Sequence, residues 1–254
     1  MPKLKEYVLP RIKAILLQES ARTQSTSSPS SSGVHSGLLP ADGSLQQDCD
    51  SLYFKQDRLY KHQVVKINYT TYDVRRSSDI IKRGRNIMVL AKPEDTNDDP
   101  SHPFWYARVL GMYHVNVIYT GAGSLDCESR RIDFLWVRWF RYIGNPISWN
   151  DSCLDRLNFP PMANDDAFGF VDPNDIIRGS HIIPSFAQGQ LHSDGSGLSK
   201  CAGDAHDWRS YYINRYATYI IHRVGIIMST LQIPGPRHGH AISLGPRRWT
   251  SIHT

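Results

Sequence analysis

The chain has 254 residues, with 29 basic against 24 acidic side chains, a formal net charge of +5 and 40% apolar residues. That composition excludes a collagen-like repeat, a coiled coil and a wholly disordered chain, and the length suits one domain with tails or two small ones. No apolar run approaches the roughly 18–20 residues that cross a bilayer, so no membrane partner is expected.

The opening Met1-Pro2-Lys3-Leu4-Lys5-Glu6 lacks the apolar stretch of a secretory signal, which leads to the expectation of an intracellular protein. Residues 1–20 carry a helical pattern: Pro10 suits a first turn, and Ile12, Ile15, Leu16 and Glu19 follow at helical spacing. The sequence gives this helix no partner, so it reads as the remnant of something larger. Eight serines fall within residues 20–37. Residues 21–50 are therefore expected to be a disordered Ser-rich linker, too poor in apolar area to offset chain entropy.

Strand signals dominate the middle. Residues 64–72 (Val64 to Tyr72) are dense in β-branched and aromatic side chains, and Ile87–Ala91 is a short buried candidate. Residues 93–103 hold Glu94, Asp95, Asp98 and Asp99 among prolines, an exposed acidic loop. Trp105–Tyr119 is the longest run, with a bulge or bend expected at Gly111. In Ile132–Phe140, alternation puts Phe134, Trp136 and Arg138 on one face and Leu135, Val137 and Trp139 on the other. Shorter strands are expected at 167–171, 176–183 and 209–216, with a loop over 187–206. Short strands joined by turn-rich connections predict a mainly β fold, an all-β, distorted and partly closed barrel.

The charge is uneven. Every acid lies at or before Asp207, while Arg209, Arg215, Arg223, Arg237, Arg247 and Arg248 follow it. Residues 218–254 form a basic irregular tail, which favours a polyanionic partner. Cys49, Cys127, Cys153 and Cys201 are too widely spaced for a zinc knuckle or redox pair.

Enzyme chemistry finds no footing. Phosphate-binding loops, a dinucleotide turn and a nucleophile elbow are all missing from the sequence. His238 and His240 have no nearby acid or cysteine to complete a metal site. Asp73, Asp79, Asp133 and Asp175 would suit a two-metal nuclease only with long crossover helices, which the pattern lacks. No catalytic residue, metal, cofactor or small-molecule substrate is expected. Binding fits better. Trp105, Tyr106, Trp139 and Tyr142 are candidates for an aromatic rim, since aromatic faces attract cations and stack on bases. Arg75, Arg76, Lys82, Arg83 and Arg85 are candidates for phosphate contacts in a basic loop.

Two resemblances follow. Asn86–Ala91, Trp105-Tyr106-Ala107-Arg108-Val109, Val137-Arg138-Trp139-Phe140, the stretch from Asp175 to Ile183 and Trp208–Tyr216 resemble, in order, segments of the bromo-adjacent homology (BAH) domain. The residues from Ile67 to Arg76, Phe134–Phe140 and Ala167–Pro173 are similar to a C-terminal region of fungal proteins encoded by Plavaka-type, CACTA-like transposons. The resemblances imply a BAH-like domain over 55–217 and a non-catalytic, nuclear role, with a histone or nucleosome surface as partner. In some members of that family an aromatic cage holds a methylated lysine, and Trp139 with Trp105 or Tyr106 stands at matching positions. The parent transposase is a further partner so implied, and DNA is one that the basic residues suggest. Two alternatives stay open: sequence-independent DNA binding as an accessory domain of a transposase, and a relic without function.

Overall fold

A computed structural model describes residues 2–24, 48–70, 76–91, 104–124, 126–143 and 154–213. The acidic loop, Arg75, the centre of the Ser-rich linker and the basic tail lie outside the described residues. The protein is mainly β, and the chain divides into two compact units, residues 1–61 with 113–134 and residues 62–112 with 135–254.

The first unit begins with helix α1 (Pro2–Gln24). Leu4, Val8, Ile12 and Leu16 recur every fourth position and are buried with Leu9, so one stripe of the helix faces inward. The apolar stripe starts six residues before Pro10, and the helix starts with it. Pro10 therefore lies inside the helix on an exposed position, where it forfeits one backbone bond without disturbing the buried face. The helix is also not without partners. Tyr7 meets Phe134 edge-on at 6.3 Å, Lys13 pairs with Asp48 at 2.5 Å, and Glu19 pairs with Arg130 at 2.6 Å. Tyr119 donates its hydroxyl to Asp48 at 3.1 Å.

Strand β1 (Leu52–His62) was invisible in the sequence because Lys55, Gln56, Asp57 and Arg58 are exposed. It pairs with β5 (Phe104–Tyr119), a single strand that runs on through Gly111.

In the second unit, β2 (Val64–Thr70) and β3 (Arg76–Lys82) form an antiparallel hairpin. A larger antiparallel sheet has the order β10 (Ile176–Ser180), β4 (Asn86–Leu90), β5, β6 (Arg130–Trp139), β9 (Phe168–Val171). Alternation gives this sheet two apolar faces. Ile87, Val89, Ala107, Val109, Leu135, Val137 and Ile176 share one core with Val65, Ile67 and Ile81 of the hairpin. Met88, Phe104, Tyr106 and Phe140 share the other with Leu157, Ile182, Tyr211 and Ile213. These last belong to a third sheet, β11 (Ile182–Pro184), β12 (Tyr211–Ile213), β8 (Asp155–Asn158), β7 (Arg141–Tyr142).

In place of the expected partly closed barrel, every sheet among the described residues is open. The reason lies at His181. The stretch expected as one strand over 176–183 breaks there, leaving β10 as an edge and carrying the chain into a different sheet as β11. Open sheets packed face to face bury the same apolar alternation that a barrel would.

Candidate interaction site

The four aromatic candidates do not form one rim. Trp105 and Trp139 project to the hairpin side and pack against its core, half-buried. Their ring centroids are 5.5 Å apart and the planes meet at 81°. Edge-to-face contact is the arrangement two ring quadrupoles prefer, and it leaves one indole face turned to the side of the other. The local sequence sets this up. Trp139 hydrogen-bonds through its backbone N–H to the carbonyl of Ala167 at 3.0 Å, and its indole lies across Gly169. A Cβ at that glycine would come within 2.5 Å of the indole Nε1, so a larger residue at the centre of Phe168-Gly169-Phe170 would push the indole aside. Asp166, which precedes Ala167, is exposed and pairs with Arg141 at 2.5 Å.

Tyr106 and Tyr142 stand on the opposite side. Tyr106 is 1% exposed and is a core residue, so it is withdrawn from any surface rim. Tyr142 packs on it at 6.2 Å and donates its hydroxyl to the carbonyl of Phe104 at 3.3 Å. Strand alternation separates the two pairs: neighbours in sequence face opposite cores.

The basic candidates divide as well. What the sequence suggested was a loop is the strand β3 followed by a turn. Arg76 opens the strand opposite Thr70, and Lys82 closes it opposite Val64. Six residue steps put them about 20 Å apart along the strand. Arg76 thus stands apart from Lys82, Arg83 and Arg85, which gather at one tight turn and are all exposed. Gly84 takes a positive φ of 82°, and Arg85 N–H closes the turn on the carbonyl of Lys82 at 3.1 Å. The turn is fastened to β5 by Gly84 N–H to Val109 O at 2.8 Å and Val109 N–H to Arg85 O at 2.9 Å. Arg83 reaches the carbonyls of Lys200 and Cys201 at 3.3 and 3.4 Å. That brings a fourth cation, Lys200, to the patch, from a segment more than a hundred residues away in sequence.

A charged centre that sequence reasoning missed lies under the second core. Asp207 is fully buried and its carboxylate accepts from Arg138 at 2.6 Å on one oxygen and from Arg108 on the other. Tyr211 donates its hydroxyl to the same carboxylate at 3.1 Å and accepts from Trp208 N–H at 2.9 Å. The Phe159 ring lies 4.5 Å from the Arg108 guanidinium and 4.0 Å from that of Arg138. Burial pushes the Tyr211 hydroxyl above its ordinary pKa, which keeps it protonated as a donor. The signal was present as an arginine inside an apolar strand, twice: Ala107-Arg108-Val109 and Val137-Arg138-Trp139. A charge at such a position demands a partner.

With this geometry in view, no family model, curated protein or solved structure matches the chain.

Proposed function

We propose that this chain is a non-catalytic interaction module of a transposon-derived protein, docking on nucleosome surfaces or histone tails in the nucleus. The single observation that carries the reading is the Trp105–Trp139 pair. Two indoles near a right angle, half-buried and braced by Gly169, offer a preorganised aromatic corner. Such a corner attracts an alkylammonium through the ring faces, and preorganisation lowers the ordering cost of binding. The sequence resemblances to BAH domains and to transposon-encoded proteins lend the reading its partner class.

The test measures binding of the full chain to nucleosomes and to the same DNA free, at low and high salt, with Trp105→Ala and Trp139→Phe alongside. The reading expects a nucleosome preference that survives salt and weakens in both variants. Equal affinity for free DNA that vanishes with salt would sink it.

A second reading, sequence-independent DNA binding, rests on the cations gathered at one turn: Lys82, Arg83, Arg85 and Lys200. Each phosphate neutralised there releases counterion, so affinity would fall steeply with salt. Charge reversal at Lys82 and Arg85 would flatten that slope.

A further inference from the structure

The segment from Phe186 to Arg209 has little regular structure, yet it is built tightly. Its base is closed by Leu191 N–H to Asp207 O at 2.8 Å and Arg209 N–H to Gly189 O at 3.2 Å. Within it, Asp204 is 1% exposed and accepts from the backbone N–H groups of Leu198 at 2.8 Å and Ser199 at 2.9 Å. Gly197 lies so close that a Cβ there would fall 2.6 Å from the Ala205 nitrogen. On this held backbone Leu198 is 82% exposed. A leucine left in water forgoes about 2 kcal/mol of burial, and a loop fixed this firmly does not expose it through looseness.

The charged side chains nearest it are mainly cations, with Asp194 the one exposed acid of the segment. Lys200 follows two residues later, within about 7 Å along the chain. Arg83 is bonded to the carbonyls of Lys200 and Cys201 and brings Lys82 and Arg85 with it. Of the three acids in the segment, Asp204 and Asp207 are buried and serve the loop and the two arginines. Asp194 is exposed and engaged by Ser196.

We infer that Leu198 and the surrounding cations, Lys82, Arg83, Arg85 and Lys200, form a docking surface for an acidic protein segment that carries a bulky apolar side chain. This rests on the docking reading above and adds a second contact with its own partner chemistry. Charge complementarity supplies the sign of the partner. The exposed leucine decides between partners: a phosphate backbone uses the cations and leaves Leu198 in water, whereas an acidic segment with an apolar anchor covers both.

The experiment uses the full chain and a fluorescein-labelled peptide with Leu-Phe at its centre between Glu and Asp residues. Its Lys-flanked counterpart and a short DNA duplex are compared by anisotropy. The acidic peptide is expected to bind and the Lys-flanked one not. Leu198→Ser should lower peptide affinity about tenfold, as loss of an anchoring residue does, and leave duplex binding unchanged. Lys82→Glu and Lys200→Glu should abolish peptide binding, while Trp139→Phe leaves it intact. Absence of peptide binding, or an affinity that Leu198→Ser leaves within about twofold of the original, overturns the inference. The nucleosome assay with the tryptophan variants reports on the docking reading independently, so the two fail separately.

Discussion

Trp139 stands edge-on to Trp105, at 81° and 5.5 Å between centroids, while Tyr106, the next residue in the chain, is turned into the opposite core. One step along β5 therefore separates a half-buried indole at the hairpin side from a phenol that water does not reach. The distinction has consequences for mutation, because on the proposed docking reading the same alanine substitution would act on binding at one position and on folding at the other.

Tyr106→Ala is expected to destabilise the fold by about 4 kcal/mol, the usual cost of removing a buried aromatic ring. Trp105→Ala should cost clearly less and should reduce nucleosome binding in protein that still folds. Urea unfolding followed by circular dichroism separates the two. Equal losses of stability would contradict the division of the faces.

Gly169→Ala tests the brace behind the corner. The new Cβ would overlap the Trp139 indole at 2.5 Å, so the ring must turn. Overpacking of this kind costs about 1–3 kcal/mol. The expected signature is a lowered unfolding midpoint together with weaker nucleosome binding. A variant with unchanged stability and affinity would show that the indole is not held by this contact.

Asp207→Asn removes the carboxylate that both Arg108 and Arg138 share. Two guanidiniums are then left against Phe159 without a counter-charge, an uncompensated burial that costs about 3–5 kcal/mol. Arg138→Met should cost less, since Asp207 keeps its bond from Arg108 and the pair remains balanced. Chemical denaturation of the two variants gives the order directly, and the reverse order would contradict the shared-carboxylate description.

Acid should loosen the Leu198 loop. Burial works to raise the pKa of Asp204, but the N–H groups of Ser199 and Leu198 outweigh it and hold the carboxyl below its ordinary 3.8. A carboxyl depressed in the folded state contributes stability above its unfolded pKa and loses that contribution as the pH falls through the folded value. The protection of the Leu198 and Ser199 amides, relative to their intrinsic exchange rates, should therefore fall below about pH 4. Asp204→Asn should flatten that pH dependence, measured by hydrogen exchange. Protection that is independent of pH in both proteins would refute the linkage.

The alternation of Leu135, Val137 and Trp139 was legible because all three are apolar in a strand whose other face is also covered, and the structure places them in one core. Strands β1 and β3 were not legible. Ile80 and Ile81 are adjacent, Ile81 alone is buried, and the rest of β3 is polar, so neither a period of two nor an apolar run stands out. The basic candidates divide for a related reason: Arg76-Ser77-Ser78-Asp79 has the composition of a loop but is extended in β3, and the distance between Arg76 and Lys82 follows from that. Arg83 finding Lys200, and Arg108 finding Asp207, are pairings across about a hundred residues that local pattern does not encode. The mainly β character came from composition and spacing. The break at His181 depends on which sheet has room for the next strand, a property of the packed structure.

The bond from Arg108 to Asp207 spans 99 residues, and Ile182 of β11 pairs with Ile213 of β12 while β10 returns to β4. A ribosome releases these partners far apart in time. Until Asp207 has emerged, β5 and β6 each carry a cation facing an unfinished core, and β8 lacks its neighbour β12. Folding of the second unit must wait for nearly the whole of it to be synthesised, as non-local pairing generally requires. A nascent chain stopped before residue 207 would hold its apolar strands open, as a target for chaperones and proteases.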